Sequence, residues 1–187
     1  MKRTVLWVAL VLTALATAPL AAAESSATTK KDGSVAIELA AFPDLHRCAD
    51  ETTTVTSVTL AELKDLCVDL GLEPRDDTDT DGDPSLLLQM GQLKVGLLLY
   101  GKLKTEPQEV RSLALQMRLV MRENASAQRA NAWNEGARYT RAYAKEKAYL
   151  LESDLDLEGG VTWKSISRCM LAFRAATADF AKHVDFN

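Results

Sequence analysis

The tail of the chain limits the possible folds more than any other stretch. From Trp163 to Val184, apolar or small residues recur at Trp163, Ile166, Met170, Phe173, Thr177, Phe180 and Val184. The steps alternate between three and four residues, which draws one line down an α-helix. A helix with a single apolar line must lay it against something. The preceding segment offers a matching line at Trp133, Ala137, Thr140, Ala144, Ala148 and Leu151. Read as a second helix, it folds back along the tail about the Asp154–Gly160 turn. Ala148 then faces Ile166, Ala144 faces Met170 and Trp133 faces Phe180, so that large groups mostly meet small ones.

A similar pairing is legible upstream. Pro84 to about Leu103 reads as a helix with the stripe Leu86, Met90, Leu93, Leu97 and Tyr100; β-structure over Leu93–Lys104 is the rival reading. Thr105-Glu106-Pro107-Gln108 reads as the cap of the next helix. Its Val110, Leu113, Met117 and Val120 oppose Tyr100, Leu97, Leu93 and Met90 in an antiparallel hairpin. No proline interrupts the chain after Pro107, so this helix is free to continue to Glu152. Its apolar stripe lapses from Arg122 to Asn131, where a break or kink is expected.

Nearer the start, Pro43 opens a short helix carrying Leu45 and Cys48, and Glu51 to Val58 reads as extended chain. Thr59-Leu60-Ala61-Glu62 is a capping box for a helix with the stripe Leu60, Leu63, Cys67 and Leu70, stopped by Gly71. The expected fold is therefore all-α: a helical bundle of two short N-terminal helices plus two antiparallel helical hairpins.

Residues 1–23 carry the marks of a signal peptide. Lys2 and Arg3 precede an apolar run from Val5, and Ala21-Ala22-Ala23 supplies small residues for cleavage. Residues 24–33 read as a disordered leader and 34–187 as a single helical domain. The protein is expected to be exported, to the periplasm if bacterial and otherwise secreted, with no membrane insertion once the signal is removed. The formal net charge is −4, with acids concentrated before Asp83 and bases prevailing after it. An acidic chain of this kind is a poor match for nucleic acid. Export permits disulfides, and of Cys48, Cys67 and Cys169 the favoured bridge is Cys48–Cys67, with Cys67–Cys169 as the rival.

Two patterns stand out as candidate sites. Asp77, Asp79, Asp81 and Asp83 alternate around Thr78, Thr80 and Gly82, which places carboxylate oxygens where a loop can wrap a calcium ion. The run resembles the first half of an EF-hand loop, but Pro84 and Leu88 stand where that family has an apolar β-branched residue and the bidentate glutamate. Arg111, Arg118, Arg122 and Arg129 share one line if their segment is helical, a row suited to an acidic partner. His46 and His183 are too few for a metal centre, and no serine sits in a nucleophile elbow. Trp133, Tyr139, Tyr143 and Trp163 could line a pocket between helices. The expected function is that of an exported, non-enzymatic helical binding protein, inhibitor-, immunity- or adhesin-like, acting by contact with another protein. The alternative is a calcium- or small-molecule-binding protein using the Asp77–Asp83 loop.

Overall fold

A computed structural model describes residues 53–186, together with the backbone of two two-residue strands, Thr28–Thr29 and Val35–Ala36, paired antiparallel. Within 53–186 the elements in chain order are α1 (Leu60–Asp69), β1 (Glu73–Thr78), β2 (Pro84–Met90), β3 (Leu93–Tyr100), β4 (Ser112–Val120), α2 (Ala127–Gly136), β5 (Arg141–Lys145), β6 (Ala148–Asp156) and α3 (Trp163–His183). The six strands form one antiparallel sheet in the order β5-β6-β4-β3-β2-β1. Short two-residue bridges tie the chain before α1 to it: Val55 pairs with Val161, and Val58 with Val110. The architecture is α+β, and the all-α bundle expected from helical spacing is not what the chain forms.

The two ends of the described region follow the sequence closely. At α1, the Glu62 amide donates to Thr59 Oγ1 at 3.2 Å and the Thr59 amide donates to Glu62 Oε2 at 2.8 Å, so the capping box is complete. Leu63 and Cys67 of its stripe, and Leu70 just beyond the helix, are fully buried. Gly71 ends it with φ +65, a conformation that glycine adopts without strain. Thr162 caps α3 by accepting from the Ser165 amide at 3.1 Å. All seven residues of the tail line, from Trp163 to Val184, are buried.

Between these helices the period is two rather than 3.6. Leu86, Leu88 and Met90 on β2, Val95, Leu97 and Leu99 on β3, and Leu113, Leu115, Met117 and Leu119 on β4 are all buried on one face. The Leu-rich runs satisfy both periods, because Leu86, Met90, Leu93 and Leu97 also fit a helix. The glycines decide between them. Gly91 has φ +64 at the first position of the two-residue turn between Met90 and Leu93, which suits a tight hairpin. The helix expected from Pro84 to Leu103 is therefore the β2–β3 hairpin, in line with the rival strand reading of Leu93–Lys104.

The long helix expected from Gln108 to Glu152 is instead β4, α2, β5 and β6. Chain reversal falls where the apolar stripe lapses: β4 ends at Val120 and α2 begins at Ala127, capped by Ser126. The segments read as the first hairpin are nonetheless neighbours, as strands β3 and β4. Leu113 pairs with Leu99 and Met117 with Val95, two residues from the register read as a helical hairpin. Tail and predecessor also run antiparallel, but the predecessor is β6. Ile166, Cys169 and Met170 lie over Ser153 and Leu155, and Phe180 packs edge-on to Tyr149 at 5.9 Å between ring centroids. Trp133 does meet Phe180, at 5.1 Å, from α2.

All three helices lie on the same side of the sheet. Lys64 of α1 pairs with Asp76 of β1, Ser153 Oγ lies 3.8 Å from Cys169 Sγ of α3, and the Ser126 amide before α2 donates to Tyr149 Oη at 2.8 Å. Tyr149 and Ser153 share the buried face with Leu151. α3, at about 1.5 Å per residue, is about 32 Å long and matches the nine-residue β6 at about 3.3 Å per residue. Each large side chain it buries contributes about 1.5–3 kcal/mol, which is why this element closes the core.

Candidate functional site: the uncovered face of the sheet

The alternation that buries one set of side chains sends the other set to the opposite face, where no helix packs among the described residues. Register defines cross-strand rows on it. One runs Arg141, Glu152, Gln116, Gly96, Leu87, Arg75 from β5 to β1. Another joins Tyr143, Leu150 and Arg118, and a step past the Val95–Met117 pair brings Lys94 beside Arg118. Toward the other end lie Asp77, Ser85, Leu98, Ala114 and Asp154, then Tyr100, Ser112 and Asp156.

Glu152 is the centre of a hydrogen-bonded cluster. Its Oε1 accepts from Tyr143 Oη and from Gln116 Nε2, both at 2.7 Å, and its Oε2 accepts from Arg141 Nε at 3.1 Å. Arg141 also reaches Asp154 at 2.9 Å through Nη2. Partial burial alone raises the Glu152 carboxyl, but donation from Tyr143, Gln116 and Arg141 outweighs it and holds the group below the usual carboxylate range. Burial and the bond to Glu152 push the Tyr143 phenol up to about 12. At Tyr100, burial and then the field of Asp79, Glu152 and Asp154 raise the phenol, which marks that end of the face as electronegative.

Charge on this face is mixed: the row that holds Lys94 and Arg118 also carries Glu73 at its β1 edge, and the next row carries Arg141, Glu152 and Arg75. Lys94 and Arg118 sit side by side on adjacent strands, and neither makes an ion pair among the described residues. Like charges directly opposite each other cost stability unless something else neutralises them. Asp154 and Asp156, two apart on β6, point from the other end. Five large apolar side chains stand exposed among the described residues, and three of them, Tyr100, Val120 and Tyr143, are on this face.

The edges of the sheet are closed to pairing by different means. On β5, Ala142 turns its backbone away from β6. The Asn134 side chain of α2 meets it: Nδ2 donates to the Ala142 carbonyl at 2.8 Å, and the Ala142 amide donates to Oδ1 at 2.7 Å. One carboxamide thus replaces a neighbouring strand. The β1 edge carries Pro74, which has no amide to offer, and a row of charges.

The sites expected from the sequence are placed differently. Asp77 ends up on β1, and Asp79 to Asp83 form the β1–β2 turn. Asp79 spends one carboxylate oxygen on the amides of Asp81 and Asp83, at 2.9 and 2.8 Å, and Asp83 forms an ion pair with Lys102. No cluster of three acidic, histidine or cysteine groups able to hold a metal occurs among the described residues. The four arginines do not share a line, because their segment is not one helix. Arg111 pairs with Glu158 at 3.1 Å, Arg129 on α2 pairs with Asp185 at 2.5 Å, Arg122 is exposed after β4, and Arg118 alone reaches the uncovered face. Cys67 is fully buried on α1 and burial pushes its thiol up to about 12, while Cys48, its expected bridge partner, lies outside the described residues. Cys48, His46 and the signal-peptide and leader segments lie outside the described residues. His183 stands against Trp133 and hydrogen-bonds the Arg129 carbonyl at 2.9 Å. Trp133, Tyr139, Tyr143 and Trp163 line no common pocket: Tyr139 is exposed in the turn before β5, Tyr143 faces outward from β5, and the tryptophans pack inward. A groove of about 360 Å³ does open at the start of α1, between Leu60, Leu99 and Val110, with Lys64 and Lys102 on its walls.

Helical spacing singles out none of Glu152, Gln116, Arg141 and Gly96, and marks Tyr143 only as the lining of a pocket between helices. The signal that finds them is the alternation Leu113-x-Leu115-x-Met117-x-Leu119, which assigns Gln116 and Arg118 to the opposite face.

A six-stranded antiparallel sheet with three helices on one face and a mixed apolar and charged surface on the other defines a class of small α+β proteins. Residues 59–186, well over half of the chain, match the YbjN family, described as a putative bacterial sensory transduction regulator. The chain belongs to that family. No curated protein matches it.

Proposed function

We propose that the protein is a non-enzymatic regulator that acts outside the cytoplasm by direct protein contact through the uncovered face of the sheet. The observation that supports this most is the composition of that face: exposed Val120 and Tyr143 lie at the end that holds Lys94 and Arg118, which make no ion pair among the described residues, and exposed Tyr100 lies at the other end. Aromatic anchors and arginine are the residues that most often carry binding energy at interfaces. The family description, a regulator of sensory transduction, agrees with a role in contact rather than turnover. The extracytoplasmic location rests on residues 1–23 alone.

A photo-crosslinking side chain placed at Val120 or Tyr100 in living cells tests the reading. Both positions are expected to give discrete protein adducts, and Val68, exposed on α1, to give none. Equal labelling at all three positions, or none at the two face positions, removes the basis for a docking surface there. Cell fractionation checks the location: recovery of the protein only with the cytoplasm contradicts it.

A further inference from the structure

We infer that the groove at the start of α1 binds a free long-chain carboxylate, a fatty acid of about a dozen carbons, with its tail on the apolar floor and its head at Lys64 and Lys102. The groove is on the helix-bearing side of the sheet, so the inference does not depend on the reading of the uncovered face.

Size and lining come first. The groove encloses about 360 Å³, within the range of about 300–1,000 Å³ usual for small-molecule sites. At roughly 30 Å³ for a group the size of a water molecule, that is room for about a dozen methylenes. Buried Leu99 and Val110 make the floor, Leu60 and Ala61 of α1 one wall, and Pro84 and Pro107 the other.

The walls favour an alkyl chain over a peptide. Pro84 and Pro107 have no N–H to give. The amide and the hydroxyl of Thr59, at the mouth of the groove, both donate to Glu62 Oε2 at 2.8 Å. A polypeptide laid here would leave its own amides and carbonyls without partners, which is costly in an apolar setting. An alkyl chain carries no such groups.

Charge fixes the head group. Lys64 stands one turn from Leu60 on α1, and Lys102 lies just past β3, so each wall contributes one ammonium. Their side chains are 35% and 28% exposed, which lays the stems along the groove and brings the charges to its mouth. Lys64 is held by Asp76 and Lys102 by Asp83, but those carboxylates are 70% and 46% exposed. Ion pairs so open to water contribute little, and a lysine ammonium has three N–H groups to share. A ligand carboxylate can therefore join or replace either aspartate at small cost.

The test titrates dodecanoate, below its micelle concentration, into the full chain in a calorimeter. A one-to-one complex is expected, with affinity rising about fourfold per methylene from octanoate to dodecanoate, equivalent to about 0.8 kcal/mol each. Dodecyltrimethylammonium has the same tail and the opposite charge, and is expected not to bind. Lys64→Gln/Lys102→Gln is expected to weaken dodecanoate binding at least about tenfold. Asp76→Asn and Asp83→Asn free the lysines, and each is expected to tighten it by up to about fivefold. Ala61→Trp, at an exposed position on the α1 wall, fills the groove and is expected to abolish binding with unchanged circular dichroism.

No heat with dodecanoate overturns the inference. So does equal binding of the cationic detergent, which would make the groove an apolar surface without head-group recognition. Dodecanoate binding that survives both Ala61→Trp and the double lysine variant places the ligand elsewhere and overturns it too. Sedimentation with phosphatidylglycerol vesicles that Ala61→Trp abolishes, without binding of free dodecanoate, would give the groove to a membrane lipid and likewise overturn it.

Discussion

The two faces of the sheet are built from alternate residues of the same strands, yet they answer to different physics. Leu97 and Leu98 are neighbours in β3. Leu97 is fully buried beneath α3 and Leu98 is half-exposed on the other side. The covered face is almost uniformly aliphatic and finished by aromatic packing of Phe173 and Phe180. The uncovered face mixes leucine and alanine with a carboxylate cluster and with a lysine and an arginine that make no ion pair among the described residues. A sheet covered on both sides by the chain itself needs apolar residues at nearly every position, whereas one covered on a single side alternates. What distinguishes this protein is that its exposed alternation is not merely polar.

The sharpest way to break the contrast is at its most buried point. Phe180→Ala removes a ring that packs against both Trp133 and Tyr149, and is expected to cost about 3–5 kcal/mol in a denaturant titration. A loss below about 1 kcal/mol would mean that α3 is not the element that closes the core. The adjacent pair in β3 comes next. Leu97→Ala is expected to cost about 2–5 kcal/mol and Leu98→Ala, on the other face, under about 1 kcal/mol. Similar values for the two would erase the distinction between faces.

Asn134→Ala tests the edge where the two faces meet. It leaves the Ala142 amide and carbonyl without their partners, at an expected cost of about 1–3 kcal/mol. It also exposes strand backbone, so the variant is expected to aggregate faster on heating, read by light scattering. The smallest effect is at Glu152. Its folded carboxyl lies below the ordinary value of 4.5, so its contribution to stability is complete above that pH and lost as pH falls through the folded value. Between about pH 5 and 3, thermal stability of Glu152→Gln is expected to fall less steeply than that of the wild type. Parallel curves would show that the Tyr143, Gln116 and Arg141 bonds contribute nothing to the ionised form.

The sequence announces two of the three helices, α1 and α3, and conceals the sheet for one reason. α1 and α3 are specified by features that have no strand equivalent: a reciprocal Thr59–Glu62 cap, and a three-four line in which intervening Lys164, Arg168 and Lys182 are polar. In the middle of the chain, Leu86-Leu87-Leu88 and Leu97-Leu98-Leu99 are apolar at consecutive positions and admit either period. Register survived this ambiguity because antiparallel neighbours pair in reverse order whether they are helices or strands. That is why Leu113 and Met117 were matched to β3 within two residues. The candidate site did not survive it, since membership of a face depends on the period. A row of four arginines on a supposed helix dissolved, and the Glu152 cluster went unseen. It is assembled from β4, β5 and β6, and nothing in local spacing joins Gln116 to Tyr143.

The element that seals the core is also made after everything it seals. All six strands precede α3 in the chain, and its nine buried side chains cover leucines that were synthesised many residues earlier. A nascent polypeptide that has delivered the whole sheet still presents a bare aliphatic surface to its surroundings. The sheet can bury its aliphatic face only once α3 has been made. Until then that surface is open to the wrong neighbour.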